Sequence, residues 1–154
     1  MVKVLLTGMS GVGKSTILKE ISKLYHLSID LDYDCWIYND DKNNTLKMDT
    51  QRIIDYLSQN NKETIFLAGT TENQKEIYPY LDFIITLTTP LEIMRKRILI
   101  RDNNPFGKSN DEWEKIKSDK ENFEPLIIKG SHFAISTEGS IDKIIKDIYK
   151  LVNL

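Results

Sequence analysis

The sequence predicts an α/β protein in which a parallel β-sheet is covered by helices on both faces, and three observations support this. Short apolar runs, typical of strands buried on both faces, alternate with stretches of helical periodicity. A glycine-rich turn joins the first apolar run to the first helical stretch. No linker or repeat divides the 154 residues, a length that suits one domain. We therefore expect a single three-layer domain over residues 1–154, with ligands at the carboxyl ends of the strands.

Five segments have the composition of buried strands: each is four to six residues long and rich in Val, Ile, Leu and Phe. The third of them stops at Gly69, as a central parallel strand would. These predicted strands are residues 2–7, 27–31, 64–68, 83–87 and 133–136.

Helical periodicity follows every predicted strand except the second, which leads first into a polar segment. Asp49 or Thr50 can cap the second helix, and Pro90 suits the first turn of the fourth. The remaining polar stretches, residues 39–44 and 102–110, predict exposed loops. The predicted helices are residues 14–25, a helix from 49 or 50 to about 60, a short one from 72 ended by Pro79, one after Pro90, then 111–123 and 141–151.

Composition sets limits on partners and location. The chain carries 21 basic and 23 acidic residues, a net charge of −2, which disfavours a strongly basic nucleic-acid surface. Cys35 is the only cysteine, so no intrachain disulfide forms, and this fits a reducing compartment. We expect no membrane span and no signal peptide, and hence a cytoplasmic protein. The sequence leaves the oligomeric state open between monomer and dimer.

The turn after the first strand matches the pattern G-x-x-x-x-G-K-[ST] completely, and we call it the phosphate loop. Its glycines allow successive N–H groups to face phosphate oxygens, at the positive end of the helix that starts nearby. The lysine then reaches the outer phosphates, and the serine hydroxyl suits Mg²⁺. We therefore predict that ATP and Mg²⁺ bind here. The loop consists of Gly8, Met9, Ser10, Gly11, Val12, Gly13, Lys14 and Ser15, and Thr16 follows it in the helix.

Other classes of phosphate-loop protein lack support in the rest of the chain. Motor and AAA-type ATPases carry an acidic pair after a later strand, whereas here Gly69 and Thr70 follow the third strand and Thr88 and Thr89 the fourth. A GTPase needs Asn-Lys-x-Asp, and the nearest segment, 61–64, lacks the Asp. A small phosphotransferase remains.

Such an enzyme needs carboxylates near the acceptor and cations over the migrating phosphoryl group. Asp30 and Asp32 end the second strand, although they can also simply solvate a turn. Arg97 and Arg101 are four residues apart on one helix face, although a solvated basic face has the same pattern. The segment after Arg101, about 102–111, has the length of a mobile lid, and we call it the lid segment.

Four blocks of the chain together resemble the small bacterial ATP-binding proteins related to shikimate and gluconate kinases, within the nucleoside-monophosphate-kinase-like group. The blocks are the phosphate loop, residues 30–32, residues 68–73 and residues 97–108.

The resemblance implies a P-loop fold with strand order 2-3-1-4-5, ATP–Mg²⁺ as donor and a lid with a catalytic arginine. It implies that Asp32 orients or deprotonates the acceptor and that Asp30 lies near Mg²⁺. Arg97 would lie against the adenine and Arg101 on the phosphates. Ser136 and Thr137 would fall in the loop that borders the adenine.

The acceptor side departs from that pattern. Shikimate kinases have three glycines after the third strand, and this chain has Gly69, Thr70 and Thr71. Arg52 is a candidate substitute for their carboxylate-binding arginine, or a solvated helix residue. Gly69, Thr70 and Asn73 suit a hydroxylated acceptor, although Thr70 or Asn73 can instead cap the short helix.

We therefore interpret the sequence as that of a kinase that phosphorylates a hydroxyl of a small molecule, using Lys14, Asp32 and Arg101. The alternatives are a nucleoside or nucleoside-monophosphate kinase and a regulatory protein that binds ATP without transferring phosphate. A polynucleotide end kinase fits less well, because the chain has no basic run to follow a phosphate backbone.

Overall fold

The computed structural model describes residues 1–154 and contains seven strands and six α-helices. The strands are β1 (Lys3–Thr7), β2 (Leu27–Asp30), β3 (Ile37–Asp40), β4 (Thr45–Met48), β5 (Ile65–Ala68), β6 (Phe83–Thr88) and β7 (Phe133–Ser136). The helices are α1 (Lys14–Ser22), α2 (Thr50–Gln59), α3 (Leu91–Ile100), α4 (Asn110–Asn122), α5 (Glu124–Lys129) and α6 (Ile141–Leu151). A 3₁₀ helix covers Gln74–Tyr80.

Five of the strands form one parallel sheet in the order β2-β5-β1-β6-β7, which confirms the predicted order 2-3-1-4-5. In the centre of the sheet, Leu5 of β1 is paired with Leu67 of β5 and Ile84 of β6. Because the strands are parallel, their carboxyl ends meet at one edge, and the functional residues predicted from the sequence follow these ends.

Each face of the sheet has its own hydrophobic core. Successive residues of β1 point to opposite faces, so Val4 and Leu6 join one core and Leu5 joins the other. Helices α1, α3, α4 and α6 cover the first face, and α2 with the 3₁₀ helix covers the second. Burial on both faces explains why the strands have continuous apolar runs rather than alternating ones.

The exposed loop predicted at residues 39–44 is the tip of a hairpin, and its first two residues belong to a strand. Strands β3 and β4 are antiparallel, with Ile37 paired with Met48 and Asp40 with Thr45, so only residues 41–44 form a turn. Met48 is buried, and its backbone N–H and carbonyl oxygen both bond the side chain of Asn73. The hairpin thus depends on a residue 25 positions away, which local polarity does not indicate.

A second difference is an additional helix directly after the helix predicted at 111–123, where the sequence predicted none. Helix α4 does end at Asn122, but Pro125 then lies in the first turn of the additional helix α5. Proline is favoured in the first turn of a helix because the backbone N–H groups there have no hydrogen-bond partner within the helix, so none is lost. None of the helices has the length and apolar composition needed to cross a membrane.

Candidate active site

One large cavity, of about 1050 Å³, opens at the carboxyl ends of β1 and β2. Its walls come from the phosphate loop and α1, from β2 and the residues after it, from the end of α3 with the lid segment, and from the loop after β7 with the start of α6. Predicted site residues in its lining are Ser10, Gly11, Val12, Gly13, Lys14, Ser15, Thr16, Asp30, Asp32, Arg97, Arg101 and Thr137.

The phosphate loop has backbone conformations at Gly8 and Gly13 that favour glycine. Gly8 has φ +145°, and a Cβ atom there would lie 2.3 Å from the carbonyl oxygen of Leu87. Gly13 has φ +100° and caps the N-terminus of α1 in the left-handed conformation. The loop thereby curls directly into the positive end of a helix, which is the geometry that binds phosphate.

The Lys14 ammonium lies inside this curl. Its Nζ donates hydrogen bonds to the carbonyl oxygens of Gly8, at 2.6 Å, and Met9, at 3.0 Å. Desolvation lowers the pKa of Lys14 to about 8, against the opposing effect of Asp32 and then Asp30, while Arg101 lowers it further. A desolvated cation at this position favours an anionic ligand, because the ligand restores the stability of the charged form.

Ser15 and Asp30 form the oxygen pair expected of a magnesium site. The Ser15 Oγ donates a hydrogen bond to Asp30 Oδ2 at 2.5 Å, and Asp30 Oδ1 accepts one from the backbone N–H of Asp32 at 3.2 Å. Hydroxyl and carboxylate oxygens are the ligands that Mg²⁺ prefers. The pair therefore fits a magnesium ion, which Ser15 and Asp30 could hold.

Asp32 lines the cavity two residues beyond the end of β2. The residue as a whole is exposed, yet its carboxyl group is close enough to protein atoms for desolvation to raise its pKa. Lys14 and Arg101 oppose this rise, and Asp30 adds to it. A carboxylate with a raised pKa between two cations is suited to accept a proton or to orient a hydroxyl group.

Arg101 connects the lid segment to the phosphate loop. The prediction that it shares a helix face with Arg97 is wrong, because α3 ends at Ile100 and the backbone of Arg101 is extended. Its Nε donates to the carbonyl oxygen of Asn104 at 3.0 Å, and one Nη donates to that of Phe106 at 2.6 Å and to Ser10 Oγ at 3.4 Å. Desolvation lowers its pKa, and electrostatic interaction first with Asp32 and then with Tyr33 opposes that effect. Arg101 therefore lies near both the phosphate loop and Asp32.

Arg97 contacts the phosphate loop at a second point, Val12. It donates to the carbonyl oxygen of Val12 and to two oxygens of Thr137, all at 2.8–3.0 Å. Thr137 is buried, at 2% exposure, whereas Ser136 is exposed, bonds only Glu138 and does not line the cavity. The adenine contacts predicted for Arg97, Ser136 and Thr137 remain predictions.

Four residues predicted to bind the acceptor lie outside the cavity lining: Arg52, Gly69, Thr70 and Asn73. The Thr70 hydroxyl bonds the N–H and the carbonyl oxygen of Gly8, and Asn73 bonds Met48. The Arg52 guanidinium lies 3.8 Å from the ring centre of Trp36, and its Nη1 donates to the Asp34 carbonyl oxygen at 2.8 Å. The acceptor contacts of all four residues stay predictions. The side chains of Arg52, Thr70 and Asn73 also stabilise the fold through the contacts just described.

Several site residues were not foreseen from the sequence. Tyr33, Asn103, Asn104 and Gly139 line the cavity, and Gln74, at 3% exposure, lies beneath the phosphate loop with its Oε1 accepting from Thr7 Oγ1 at 3.1 Å. The position of Tyr33 beside Asp32 and of the two asparagines within the lid segment could have indicated them. Nothing in the local sequence indicates the role of Gln74.

The sequence of this chain matches a family model described as "AAA domain" over residues 4–124. From the sequence we expected no AAA-type ATPase, because no acidic pair follows the third or fourth predicted strand, and in the structure Gly69 follows β5 and Thr89 follows β6. The missing carboxylates therefore concern the chemistry of the site and do not exclude the chain from the family. No curated protein sequence matches the chain.

Solved structures of several kinases are similar in fold. Shikimate kinase from Acinetobacter baumannii in complex with shikimate has a TM-score of 0.72 at 18% identity, over 99% of this chain and 93% of that one. Deoxyadenosine kinase from M. mycoides with bound dATP has a TM-score of 0.64 at 20% identity, over 100% of both chains. A gluconokinase from Sinorhizobium meliloti 1021 has a TM-score of 0.58 at 14% identity, over 95% and 88%.

Proposed function

The chain belongs to the AAA domain family, and within that family we propose that it is an ATP-dependent kinase of small molecules. In this proposal the enzyme transfers the γ-phosphoryl group of ATP to a hydroxyl group of a small metabolite. The fold shared with shikimate kinase, gluconokinase and deoxyadenosine kinase is consistent with this class of reaction. The single cysteine also fits our expectation of a cytoplasmic enzyme.

The observation that carries the proposal is the convergence of four groups on one cavity: Lys14, the Ser15–Asp30 pair, Asp32 and Arg101. Phosphoryl transfer needs cations around the migrating group, a magnesium site and a carboxylate beside the acceptor. The side chains of Lys14, Asp32 and Arg101 all line this cavity, and the effects of Asp32 and Arg101 on the pKa of Lys14, and of Lys14 and Arg101 on that of Asp32, are consistent with this grouping. An ATP-hydrolysing motor would need a carboxylate after β5 or β6, and neither strand has one.

On the donor side, the phosphate loop and Lys14 would hold the triphosphate. The loop N–H groups and the start of α1 supply a fixed positive potential, and Lys14 would move from the carbonyl oxygens of Gly8 and Met9 to the phosphate oxygens. When bound, Mg²⁺ would neutralise charge on the phosphates, and Ser15 and Asp30 are the residues that would hold it.

On the acceptor side, Asp32 would accept a hydrogen bond from the attacking hydroxyl and take its proton as the phosphoryl group arrives. Its raised pKa makes it a better proton acceptor than an ordinary aspartate. Arg101 would counter the negative charge that spreads over the transferring group. Because Arg101 also bonds Asn104 and Phe106, it would couple the closure of the lid segment to this stabilisation.

Two other functions each have a specific observation in their favour. A nucleoside or nucleoside-monophosphate kinase is consistent with the fold shared with deoxyadenosine kinase along the whole chain. A regulatory ATP-binding protein is consistent with Arg52, Thr70 and Asn73, which all bond other parts of the fold rather than project into the cavity.

Acceptor-dependent formation of ADP tests the proposal. The purified protein, with ATP and Mg²⁺, is assayed against nucleosides, nucleotides, sugars, sugar acids and shikimate, with Lys14→Met as the matched inactive control. We expect at least one acceptor to stimulate ADP formation in the wild type and none to do so in Lys14→Met. Tight ATP binding without any stimulating acceptor would refute the kinase and favour the regulatory protein.

A further inference from the structure

We infer that Gln74 is a positioning residue for ATP binding, which acts through Thr70 on the carbonyl group that Lys14 leaves when it turns to the phosphates. This inference rests on the movement of Lys14 in the proposed function, and it does not depend on the identity of the acceptor. Gln74 lies beneath the phosphate loop at 3% exposure and outside the cavity lining, so it cannot act by touching ATP.

Both polar groups of the Gly8 backbone are bonded by Thr70. The Gly8 N–H donates to Thr70 Oγ1 at 3.0 Å, and Thr70 Oγ1 donates to the Gly8 carbonyl oxygen at 2.7 Å. That carbonyl oxygen accepts a second hydrogen bond, from Lys14 Nζ at 2.6 Å. When Lys14 moves to the phosphate oxygens, the bond from Thr70 is the one that the carbonyl oxygen keeps. Because a carbonyl oxygen without a donor is unfavourable, the bond from Thr70 favours the departure of Lys14.

Gln74 holds Thr70 in place from two directions. Its Oε1 accepts a hydrogen bond at 3.2 Å from the backbone N–H of Thr71, the residue next to Thr70. The same oxygen accepts from Thr7 Oγ1 at 3.1 Å, and Thr7 Oγ1 lies 3.0 Å from Thr70 Oγ1. Gln74 thus joins the end of β1 to the residues that follow β5, and this keeps the Thr70 hydroxyl within hydrogen-bond distance of Gly8.

The amide of Gln74 is itself fixed in one orientation. Because a backbone N–H can only donate, the atom that faces Thr71 is the amide oxygen, and Nε2 then donates to the Tyr78 hydroxyl at 2.7 Å. Gln74 and Tyr78 both belong to the 3₁₀ helix. The position of the Thr70 hydroxyl is therefore set from an ordered element outside the phosphate loop.

A double-mutant cycle with Lys14 tests the inference through ATP binding alone. The wild type, Gln74→Met, Lys14→Met and the double variant are titrated with ATP and Mg²⁺ by isothermal titration calorimetry. We expect Gln74→Met to bind ATP about fivefold more weakly than the wild type, the effect of one hydrogen bond. In the Lys14→Met background no ammonium group leaves Gly8, so the same substitution should leave ATP affinity unchanged.

A purely structural role of Gln74 predicts equal losses of ATP affinity in the two backgrounds, and that result would overturn the inference. Unchanged affinity in Gln74→Met with Lys14 present would overturn it as well. Gln74→Asn keeps the amide but withdraws its oxygen from Thr71, and it takes the place of Gln74→Met in the cycle if that variant does not fold. If the wild type itself binds no ATP, the kinase proposal fails and the inference fails with it.

Two further variants separate positioning from stability. Tyr78→Phe removes one partner of Gln74 but leaves both bonds of Oε1, so it should lower the free energy of unfolding and retain ATP affinity. Thr70→Val removes the hydroxyl through which Gln74 is inferred to act, so adding Gln74→Met to it should cause no further loss of ATP affinity. A loss in Tyr78→Phe as large as that in Gln74→Met, or additive losses for Thr70→Val and Gln74→Met, would overturn the inference.

Discussion

Arg97 holds Thr137 at two points, because its Nη1 donates to the Thr137 hydroxyl at 2.9 Å and its Nη2 donates to the carbonyl oxygen at 2.8 Å. Thr137 Oγ1 in turn donates to the Val12 carbonyl oxygen at 2.6 Å, and Arg97 Nη1 donates to the same oxygen at 3.0 Å. Three distant segments, α3, the phosphate loop and the loop after β7, thus meet in one buried cluster that fixes the shape of the phosphate loop.

The first prediction concerns this cluster. Thr137→Val keeps the size of the side chain and removes the hydroxyl group that joins Val12 to Arg97. A buried hydrogen bond contributes about 1 kcal/mol, so we expect ATP affinity to fall about fivefold to tenfold. Isothermal titration calorimetry measures the change, and Thr137→Ser, which keeps the hydroxyl, is the matched control. Unchanged ATP affinity in Thr137→Val would show that the cluster does not shape the donor site.

The second prediction concerns Lys14 and pH. Folding lowers the pKa of Lys14 from the usual 10.5 to about 8, so between these values the unfolded chain binds more protons than the folded one. The free energy of unfolding that Lys14 contributes should therefore rise with pH from 8 to about 10.5. At about 1.4 kcal/mol per pKa unit, the full gain is about 3 kcal/mol.

Urea denaturation of the wild type and Lys14→Met at pH 7, 8, 9 and 10 isolates this contribution. The difference in free energy of unfolding, wild type minus variant, should shift in favour of the wild type as the pH rises. A difference that is independent of pH would contradict the desolvation of Lys14. In the kinase assay, Lys14→Met should remain folded and inactive.

The third prediction concerns Arg101. If its guanidinium counters charge on the transferring group, Arg101→Ala should lower kcat by about 10³. The substitution should also loosen the lid segment, because it removes the bonds to Asn104 and Phe106. Lys96→Ala removes an exposed cation from α3, which ends just before Arg101, and serves as the control for net charge, with activity retained. Equal activities of the two variants would refute the role of Arg101.

The fourth prediction concerns Asp32. Asp32→Asn keeps the shape of the side chain but cannot accept the proton of the acceptor, so kcat should fall by about 10²–10⁴ with ATP affinity retained. In the wild type, the acid limb of kcat/KM should have a pKa above that of an ordinary aspartate, because desolvation raises the pKa of Asp32. Asp34→Asn, at an exposed residue outside the cavity lining, is the control. A normal rate in Asp32→Asn would remove Asp32 from the mechanism.

The central part of the fold was predictable because local sequence determines it. Continuous apolar runs specified the five strands of the sheet, and the pattern G-x-x-x-x-G-K-[ST] specified where β1 turns into α1. The β3–β4 hairpin was not predictable, because its strands are short, half-exposed and polar. Its position depends on the contact of Met48 with Asn73, which is set only when the chain has folded.

The candidate site shows the same division between local and distant information. The phosphate loop and the Asp30–Asp32 segment were identified because their residues are close in sequence. The partners of Arg97 and Thr70 are 85 and 62 residues away in the chain, at Val12 and Gly8, so no local pattern indicates them. The sequence therefore suggests which polar residues lie at or near the site. It does not distinguish residues that bind a ligand from residues that form hydrogen bonds within the protein.

Thr70 allows a direct test of that distinction. Its hydroxyl lies 3.0 Å from the Gly8 nitrogen, 2.7 Å from the Gly8 carbonyl oxygen and 3.0 Å from Thr7 Oγ1. Thr70→Val keeps the shape and leaves these groups without that partner, so we expect a loss of about 1–3 kcal/mol in the free energy of unfolding and a higher KM for ATP. Thr70→Ser should behave as the wild type. If Thr70→Val instead raised only the KM for the acceptor and left stability unchanged, Thr70 would be an acceptor ligand. Loss of a side chain that bonds Gly8 should weaken the phosphate loop, whereas loss of one that bonds only the substrate should not.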